Sequence, residues 1–168
     1  VMSTVLMDIL KGVDNHIIDD KILNYKSDMT NKHYVDIAKN SAVKGMSKYT
    51  FKNQVLGQFK KGTPAHVKAA ITYNHLLKYY KVPYKYEPMK DGDKIKWVYL
   101  KNNPLGLDSV GLTGYNDPPE VLDLVKTYID YDLLWQKELD NKLDDFYKAM
   151  NWQKPSPNLK KASQFFGF

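Results

Sequence analysis

The sequence predicts an α+β fold that is mainly helical, with a small β-sheet lobe and a flexible carboxy-terminal tail. Apolar residues recur at helical spacing over 64–81 and 119–151, and they alternate over 95–100 in the manner of a strand. The 168 residues are 43% hydrophobic and 13% aromatic, which is typical of a folded chain rather than a disordered one.

The first residues form an apolar helical face and lack the basic-then-apolar order of a signal peptide. This face is formed by Val5, Leu6, Ile9 and Leu10. Because the sequence begins Val1-Met2 with that helix already under way, we expect a piece of a longer protein.

The next segment carries the first candidate binding loop. Residues 34–38 alternate and predict a short strand or extended stretch, whereas residues 40–49 hold small and hydroxyl side chains around Gly45. Hydroxyls, amides and ammonium groups there can donate to consecutive phosphates, and a tyrosine can lie against a sugar or base. These groups belong to Ser41, Lys44, Ser47, Lys48 and Tyr49. The alternative is an ordinary turn into the next element.

A second basic loop, Lys60-Lys61-Gly62, precedes the most regular helical pattern. Thr63 is the predicted N-cap, Pro64 the first helical residue, and Pro83 stops the helix. Its apolar face is Val67, Ala70, Tyr73, Leu77 and Tyr80. A helix start beside two lysines is a good anion site. The spacing of the two histidines in this helix favours capping or surface roles over metal binding; they are His66 and His75.

The second half predicts a turn, a strand and further helices. Asp91-Gly92-Asp93-Lys94 is a turn signal, and the strand 95–100 follows it. Pro118 and Pro119 introduce a pair of helices or one bent helix. Its stripes are Leu122, Val125, Ile129 and Leu133, then Trp135, Leu139, Leu143, Phe146 and Met150.

Charge is unevenly distributed along the chain, with one basic stretch and one acidic stretch. All 25 basic residues are lysine; ten of them lie within 37–86, which has no Asp or Glu, whereas 108–148 has ten carboxylates and four lysines. A one-sided basic surface is typical of binding to a phosphate backbone. Lysine is a point charge without the bidentate fork of arginine, so the contact should have little sequence selectivity. A solvated lysine-rich loop is the alternative.

Composition also excludes several classes of protein. The chain has no cysteine, so a disulfide framework and a thiolate zinc site are both ruled out. Its apolar runs are far shorter than the roughly 20 residues of a membrane span. The sequence therefore predicts a soluble, intracellular protein that does not act at a membrane.

The carboxy-terminal end is the most unusual stretch. Three phenylalanines stand in the last four positions behind Gln164 and the lysine pair 160–161, and the spacer 155–158 holds two prolines that prevent a continuous helix. A free hydrophobic end of this kind suggests a tethered ligand for a partner. Alternatively, the tail folds back onto its own domain.

Four motifs follow one another along the chain: His66-Val67-Lys68-Ala69-Ala70-Ile71-Thr72-Tyr73-Asn74, Asp91-Gly92-Asp93-Lys94-Ile95 with Tyr99-Leu100, Tyr128-Ile129-Asp130-Tyr131, and Lys160-Lys161-Ala162-Ser163 before the terminal phenylalanines. In this order they resemble the thumb region and carboxy terminus of family B replicative DNA polymerases of T-even-type tailed bacteriophages. The segment 37–49 is similar to the part of this family that grips primer-template duplex. The match covers the chain from about residue 34 onward, and the tail departs from the family by being shorter with two adjacent phenylalanines.

The resemblance implies a thumb-like DNA-holding domain over 1–153 and a linker with a sliding-clamp-binding tail over 154–168. Within the domain we distinguish a basic half, 37–86, a small strand-containing lobe, 84–116, and carboxy-terminal helices, 119–151. The implied DNA contacts are Ser41, Lys44, Gly45, Lys48 and Tyr49, to which the charge pattern adds Lys60, Lys61 and Lys68. The implied clamp ligand is Gln164, Phe165, Phe166 and Phe168.

The implied partners are primer-template DNA, a sliding clamp and a palm- and fingers-bearing polymerase portion, in the cytoplasm of the phage host. Polymerisation needs palm aspartates that hold two metal ions, and no Asp-Thr-Asp turn occurs here. We therefore expect no catalytic residue and no cofactor in this chain, with Mg²⁺ in the palm of the complete enzyme. Two alternatives stay open: a free-standing accessory protein that binds DNA or a clamp, and a metal-dependent nuclease using Asp91 and Asp93.

Overall fold

The computed structural model describes residues 4–5, 7–8 and 11–151. The described chain divides into two compact units, of which one is Lys32–Leu134 and the other takes its residues from the described parts of 4–31 and 135–151. Helices and a three-stranded antiparallel sheet confirm the predicted α+β class. No helix in the described part of the chain is long and apolar enough to cross a membrane. The predicted tail, 154–168, lies outside the described residues, and the predicted subdivision of the rest stays a prediction.

The sheet of the unit Lys32–Leu134 has the strand order β1 (Lys39–Ala42), β2 (Lys94–Tyr99), β3 (Ser109–Leu112). Lys39 pairs with Trp97 and Ala42 with Lys94, so the first strand comes from the basic half and the second from the strand-containing lobe. The prediction of a strand near 95–100 is confirmed. Its central residues are buried; they are Ile95, Trp97 and Val98.

Helix α4 (Ala65–Tyr79) packs against β3 and β2 and supplies much of the core of this unit. Gly111 lets the helix approach, because a Cβ there would lie 3.1 Å from the Ala69 carbonyl oxygen. The predicted helix is confirmed, but its start is not as predicted. Pro64 is the N-cap residue in extended conformation, since the Thr63 hydroxyl donates to the Lys60 carbonyl oxygen at 2.6 Å instead of capping the helix.

The prediction of an extended segment at 34–38 is wrong, because Tyr34–Ile37 forms one helical turn, α2. The His33 ring accepts a hydrogen bond from the Val35 amide at 3.3 Å, and the Ala38 amide donates to the Tyr34 carbonyl oxygen at 3.0 Å. Tyr34 and Ile37 are buried together, which is the i, i+3 spacing of a helix and not the alternation of a strand.

The remaining helices of this unit are short. α3 (Met46–Tyr49) follows β1, α5 (Pro119–Tyr128) follows β3, and α6 (Tyr131–Trp135) continues toward the other unit in sequence. Pro119 occupies the first turn of α5, as the sequence predicted. The buried stripe of α5 differs from the predicted one, because it consists of Val121, Leu124 and Val125 while Leu122 is half-buried.

The other unit packs α1 (Asn15–Thr30) with a π-helical turn (Gln136–Asp140) and α7 (Asn141–Ala149). Its core is a small apolar cluster formed by Val5, Ile18, Ile22, Leu139, Leu143 and Tyr147. The Tyr147 hydroxyl donates to Asp19 Oδ1 at 2.9 Å, which ties α7 to α1. Met150, predicted to extend the apolar stripe, is exposed beyond the end of α7.

Candidate nucleic-acid interface

Residues 43–49 of the first candidate binding loop, 40–49, are held in place by the turn at 90–93. The Val43 amide donates to the Asp93 carbonyl oxygen, and the Gly92 amide donates back to the Val43 carbonyl oxygen, both at 2.9 Å. Gly45 then takes a left-handed conformation, with φ of 77°, that reverses the chain into α3. The two backbone hydrogen bonds and the turn at Gly45 therefore set the backbone position of residues 46–49.

Asp91 anchors this loop with its side chain. Asp91 Oδ1 accepts a hydrogen bond from the Met46 amide at 2.8 Å, at the start of α3, although the two residues are 45 positions apart in the sequence. An amide of the first helical turn has no partner within its own helix, so a carboxylate is a favourable acceptor there. Asp91 therefore fixes the backbone between Lys44 and Lys48.

Lys44 and Lys48 project from this anchored loop into solvent. The Lys48 ammonium lies 5.1 Å from the centre of the Tyr49 ring, which is half-buried. A cation over an aromatic face is attracted to it, so Tyr49 restrains the Lys48 side chain without neutralising its charge. Neither ammonium has an ion-pair partner within the described residues.

The second basic loop joins the first through Lys60. Lys60 Nζ donates to the Lys48 carbonyl oxygen at 2.9 Å and lies 5.6 Å from the centre of the Phe51 ring. Lys61 is exposed beside it, and Gly62 turns the chain with φ of 80°. The structure thus places the Lys60 ammonium against the backbone of Lys48. A common surface for a phosphate backbone stays a prediction.

Lys68 lies one turn into α4, and α3 packs against this helix. Its ammonium is 5.6 Å from the centre of the Phe59 ring, in the segment that links the two elements. Lys48, Lys60 and Lys68 therefore share one design, in which an aromatic ring beside the ammonium limits the positions of a long side chain. Restraint of this kind lowers the entropy that a lysine loses when it binds an anion.

Ser41, a predicted DNA contact, lies apart from the loop tip, within β1. Its Oγ accepts a hydrogen bond from Trp97 Nε1 at 3.0 Å, which leaves the hydroxyl proton able to donate elsewhere. Ser41 also lines a surface groove of about 320 Å³ along β1 and β2. The groove is formed by Asn40, Ser41, Ala42, Lys94, Ile95, Lys96 and Thr113.

Three further lysines on the sheet were missed as candidate contacts by the sequence reasoning. Lys39 lies 5.1 Å from the Trp97 ring centre, and Lys96 Nζ donates to Asn40 Oδ1 at 3.3 Å across the strand pair. Lys94 is exposed opposite Ala42. The alternation of lysine with an apolar residue in Lys94-Ile95-Lys96 indicates a strand with lysines on one face. The sequence does not show that this strand pairs with β1, which is what brings these lysines close to Ser41.

The two carboxylates considered for a nuclease both build the turn at 90–93, which confirms the turn predicted there. Asp91 binds the Met46 amide, and Asp93 Oδ2 accepts from the Lys90 amide at 2.9 Å. Over the residues that the structure describes, no group of three or more His, Asp or Glu side chains is arranged to hold a metal ion. Both carboxylates therefore stabilise the local backbone by accepting hydrogen bonds from amides.

Three tyrosines elsewhere in the unit Lys32–Leu134 have a raised pKa. Burial, followed by the Asp117 carboxylate, raises the pKa of both Tyr34 and Tyr73. Burial also raises the pKa of Tyr80, with Tyr79, Glu120 and Asp123 contributing after it. Burial is the largest cause of all three shifts, and the carboxylates add to it because a negative charge disfavours the tyrosinate form.

The predicted clamp ligand, Gln164, Phe165, Phe166 and Phe168, lies outside the described residues. No protein-family model matches the chain, and no curated protein matches it.

Proposed function

We propose that this chain is the thumb and clamp-binding portion of a phage replicative DNA-directed DNA polymerase, which holds primer-template duplex and docks to a sliding clamp. The observation that carries the proposal is the pair of basic loops, in which Asp91 anchors the backbone around Lys44 and Lys48 and Lys60 bonds directly to that backbone. The ordered motifs that resemble family B polymerases support the same assignment.

The chemistry of these loops suits a phosphate backbone better than base edges. Lysine ammonium groups contact phosphates as point charges, and each neutralised phosphate releases counterions, which gives affinity without sequence information. The aromatic rings beside Lys48, Lys60 and Lys68 restrain the ammonium groups in advance of binding. The DNA contacts in this proposal are the residues predicted from the sequence: Ser41, Lys44, Gly45, Lys48, Tyr49, Lys60, Lys61 and Lys68.

The proposal assigns catalysis to another polypeptide portion. Nucleotidyl transfer requires carboxylates that hold two metal ions against the triphosphate, and the sequence has no Asp-Thr-Asp turn. In this account the palm- and fingers-bearing portion supplies those carboxylates and their Mg²⁺, and the present chain supplies grip on the duplex. A free-standing accessory protein with the same DNA and clamp contacts is the second candidate, favoured by the same lack of a catalytic motif.

Reconstitution separates the two candidates. The chain is mixed with a palm- and fingers-bearing portion of a phage family B polymerase, and extension of a labelled primer is followed on a long template. The proposal predicts that extension increases on mixing and that the Lys44→Ala/Lys48→Ala variant restores less of it. An accessory protein would leave extension by the catalytic portion unchanged while still binding DNA.

Deletion of residues 164–168 tests the clamp assignment. Burial of a phenylalanine side chain is worth about 1.5–3 kcal/mol, and ordering of the segment offsets part of this gain, so we expect roughly micromolar affinity for an isolated tail peptide. The deletion should abolish clamp binding in a pull-down while DNA affinity and melting temperature stay at parent values. A fall of many degrees in melting temperature would show instead that the phenylalanines belong to the domain's own core.

A further inference from the structure

Residues 78–86 form a second region rich in cations and aromatic rings, separate from the loops assigned to duplex. The sequence is Lys78-Tyr79-Tyr80-Lys81-Val82-Pro83-Tyr84-Lys85-Tyr86, in which seven of nine residues are lysine or tyrosine and none is acidic. Alternation of cations with aromatic rings is the pattern found where proteins bind unpaired bases and their phosphates together.

The backbone of this segment is well fixed. At the end of α4, the Val82 amide donates to the Leu77 carbonyl oxygen at 2.9 Å and the Lys81 amide donates to the Lys78 carbonyl oxygen at 3.0 Å. These are the two bonds of a Schellman cap, and they hold Lys81 in the left-handed region with φ of 58°. A non-glycine residue there is uncommon, so the cap determines the direction in which the chain leaves the helix.

A tight turn then presents Tyr84. The Lys85 amide donates to the Val82 carbonyl oxygen at 3.1 Å, and Pro83 occupies the second position of the turn, which its fixed φ favours. Tyr84 is 78% exposed and Tyr79 is 52% exposed, and the lysines beside them are exposed as well. The Lys85 ammonium lies 5.9 Å from the centre of the Tyr84 ring.

We propose that this segment binds single-stranded nucleic acid, with Tyr79 and Tyr84 stacking on bases and Lys78, Lys81 and Lys85 neutralising phosphates. Bases in a duplex are stacked on each other and hidden from a side chain that approaches the backbone, so exposed tyrosine rings favour an unpaired strand. An apolar partner is disfavoured because desolvation of three ammonium groups would accompany burial of the rings.

Tyr80 differs from Tyr79 and Tyr84 in being half-buried. Burial, followed by Tyr79, Glu120 and Asp123, raises its pKa. Its ring also meets the Tyr79 ring edge-on, with centroids 5.1 Å apart. We therefore assign Tyr80 to the support of Tyr79 and leave it out of the binding surface.

The test is fluorescence anisotropy of a labelled oligothymidylate with the full chain. Stacking on an aromatic ring is worth about 1–3 kcal/mol per base, so Tyr79→Ala/Tyr84→Ala should weaken binding by at least about tenfold. Tyr79→Phe/Tyr84→Phe keeps the rings and should bind as the parent does. Tyr115→Ala is the matched control, because Tyr115 is 90% exposed in a loop that contains an aspartate and no lysine, and its binding should equal the parent's.

Three outcomes would overturn the inference. The first is parent-like binding by the double alanine variant. The second is a loss in the phenylalanine variant equal to that in the alanine variant, which would exclude stacking. The third is displacement of the oligonucleotide by polyglutamate, at equal charge concentration, as readily as by unlabelled oligothymidylate, which would show a response to charge alone.

A parallel measurement distinguishes this site from the proposed duplex-binding loops. Lys44→Ala/Lys48→Ala should weaken binding to duplex and leave binding to oligothymidylate unchanged, whereas Tyr79→Ala/Tyr84→Ala should weaken binding to oligothymidylate and leave binding to duplex unchanged. Failure of the parent to bind duplex would contradict the proposed function and leave the single-strand result standing. A shared loss of both ligands in either variant would contradict the present inference.

Discussion

Two loops of the unit Lys32–Leu134 use the same device, a single aspartate that accepts backbone amides, but they present opposite surfaces. In the loop 43–49, Asp91 accepts from the Met46 amide at 2.8 Å. In the loop 113–117, Asp117 accepts from the Thr113 amide at 2.7 Å and from the Gly114 amide at 2.8 Å. The first loop displays two lysines, and the second displays an exposed tyrosine with no lysine in the loop itself.

The difference shows that backbone anchoring and charge are separable properties. A carboxylate that binds amides shapes its loop in both places, although its negative charge opposes an anionic ligand in the first. Only the surrounding lysines make the loop 43–49 a candidate for DNA. Substitutions in the two loops can therefore change the backbone geometry and the lysine charge independently.

The largest effect is expected from removal of both loop lysines. Each lost phosphate contact costs nearly a factor of ten at about 0.1 M salt, so Lys44→Ala/Lys48→Ala should weaken duplex binding on the order of fiftyfold and flatten the log-log salt slope by about two units. Titration of labelled duplex at several salt concentrations measures both quantities. Lys126→Ala/Lys137→Ala removes two exposed lysines from the carboxylate-rich stretch 108–148 and should change neither the affinity nor the slope. An equal loss there would mean that only net charge matters.

A smaller effect, with an informative sign, is expected at the two anchoring aspartates. Loss of a capping carboxylate costs about 1 kcal/mol, so Asp91→Ala should release the loop and weaken duplex binding roughly fivefold. Asp91→Asn keeps an oxygen acceptor and should stay near the parent. If Asp91 merely repels phosphate, both substitutions would strengthen binding. Asp117→Ala should lower the melting temperature without weakening DNA binding.

Gly45 allows a test of the loop conformation without any change of charge. Its φ of 77° strains any other residue, although a Cβ would meet only the Tyr49 ring at 3.6 Å, so Gly45→Ala should cost about 1 kcal/mol, mostly through the backbone. We expect duplex binding to weaken a few fold. Gly106→Ala carries the same strain, at φ of 65°, with nothing within 4 Å, and should match the loss in melting temperature while binding DNA as the parent does.

The smallest effect concerns pH. Burial, followed by the nearby Lys78 ammonium, lowers the pKa of His75 from its usual 6.5, so the unfolded chain binds a proton there more readily than the folded chain. The free energy of unfolding should therefore fall as pH drops through about 6.5 toward the lower folded value, and level off below it. His75→Gln should flatten this dependence in thermal melts, and Lys78→Ala should weaken it. If the pH dependence of the free energy of unfolding is the same in His75→Gln as in the parent, groups other than His75 cause it.

Sequence periodicity predicted correctly those helices and strands in which buried side chains recur at the regular spacing of the element. The face of α4 that holds Val67, Tyr73 and Leu77 is buried, and the alternating strand around Trp97 lies in the sheet. The short segment Tyr34–Ile37 was mispredicted because its few residues fit both periods, and the His33 ring with the local amides stabilises the helical turn.

The candidate site was predictable in its charge but not in its geometry. The carboxylate-free window 37–86 indicated the lysines directly, whereas the anchor at Asp91 depends on a contact between residues 45 positions apart. The sequence could suggest only a turn for Asp91, since the pairing of β1 with β2 decides which loop faces that turn. The hydrogen bond from Lys60 Nζ to the Lys48 carbonyl oxygen likewise depends on how the folded chain brings two separate loops together.

The salt dependence of duplex binding tests most directly the claim that the loops 43–49 and 60–62 hold a phosphate backbone. With about four to six phosphates neutralised, the log-log slope for the parent chain should be about −4 to −5, with equal affinity for duplexes of unrelated sequence. A slope near zero, or an affinity that follows base sequence, would contradict the account.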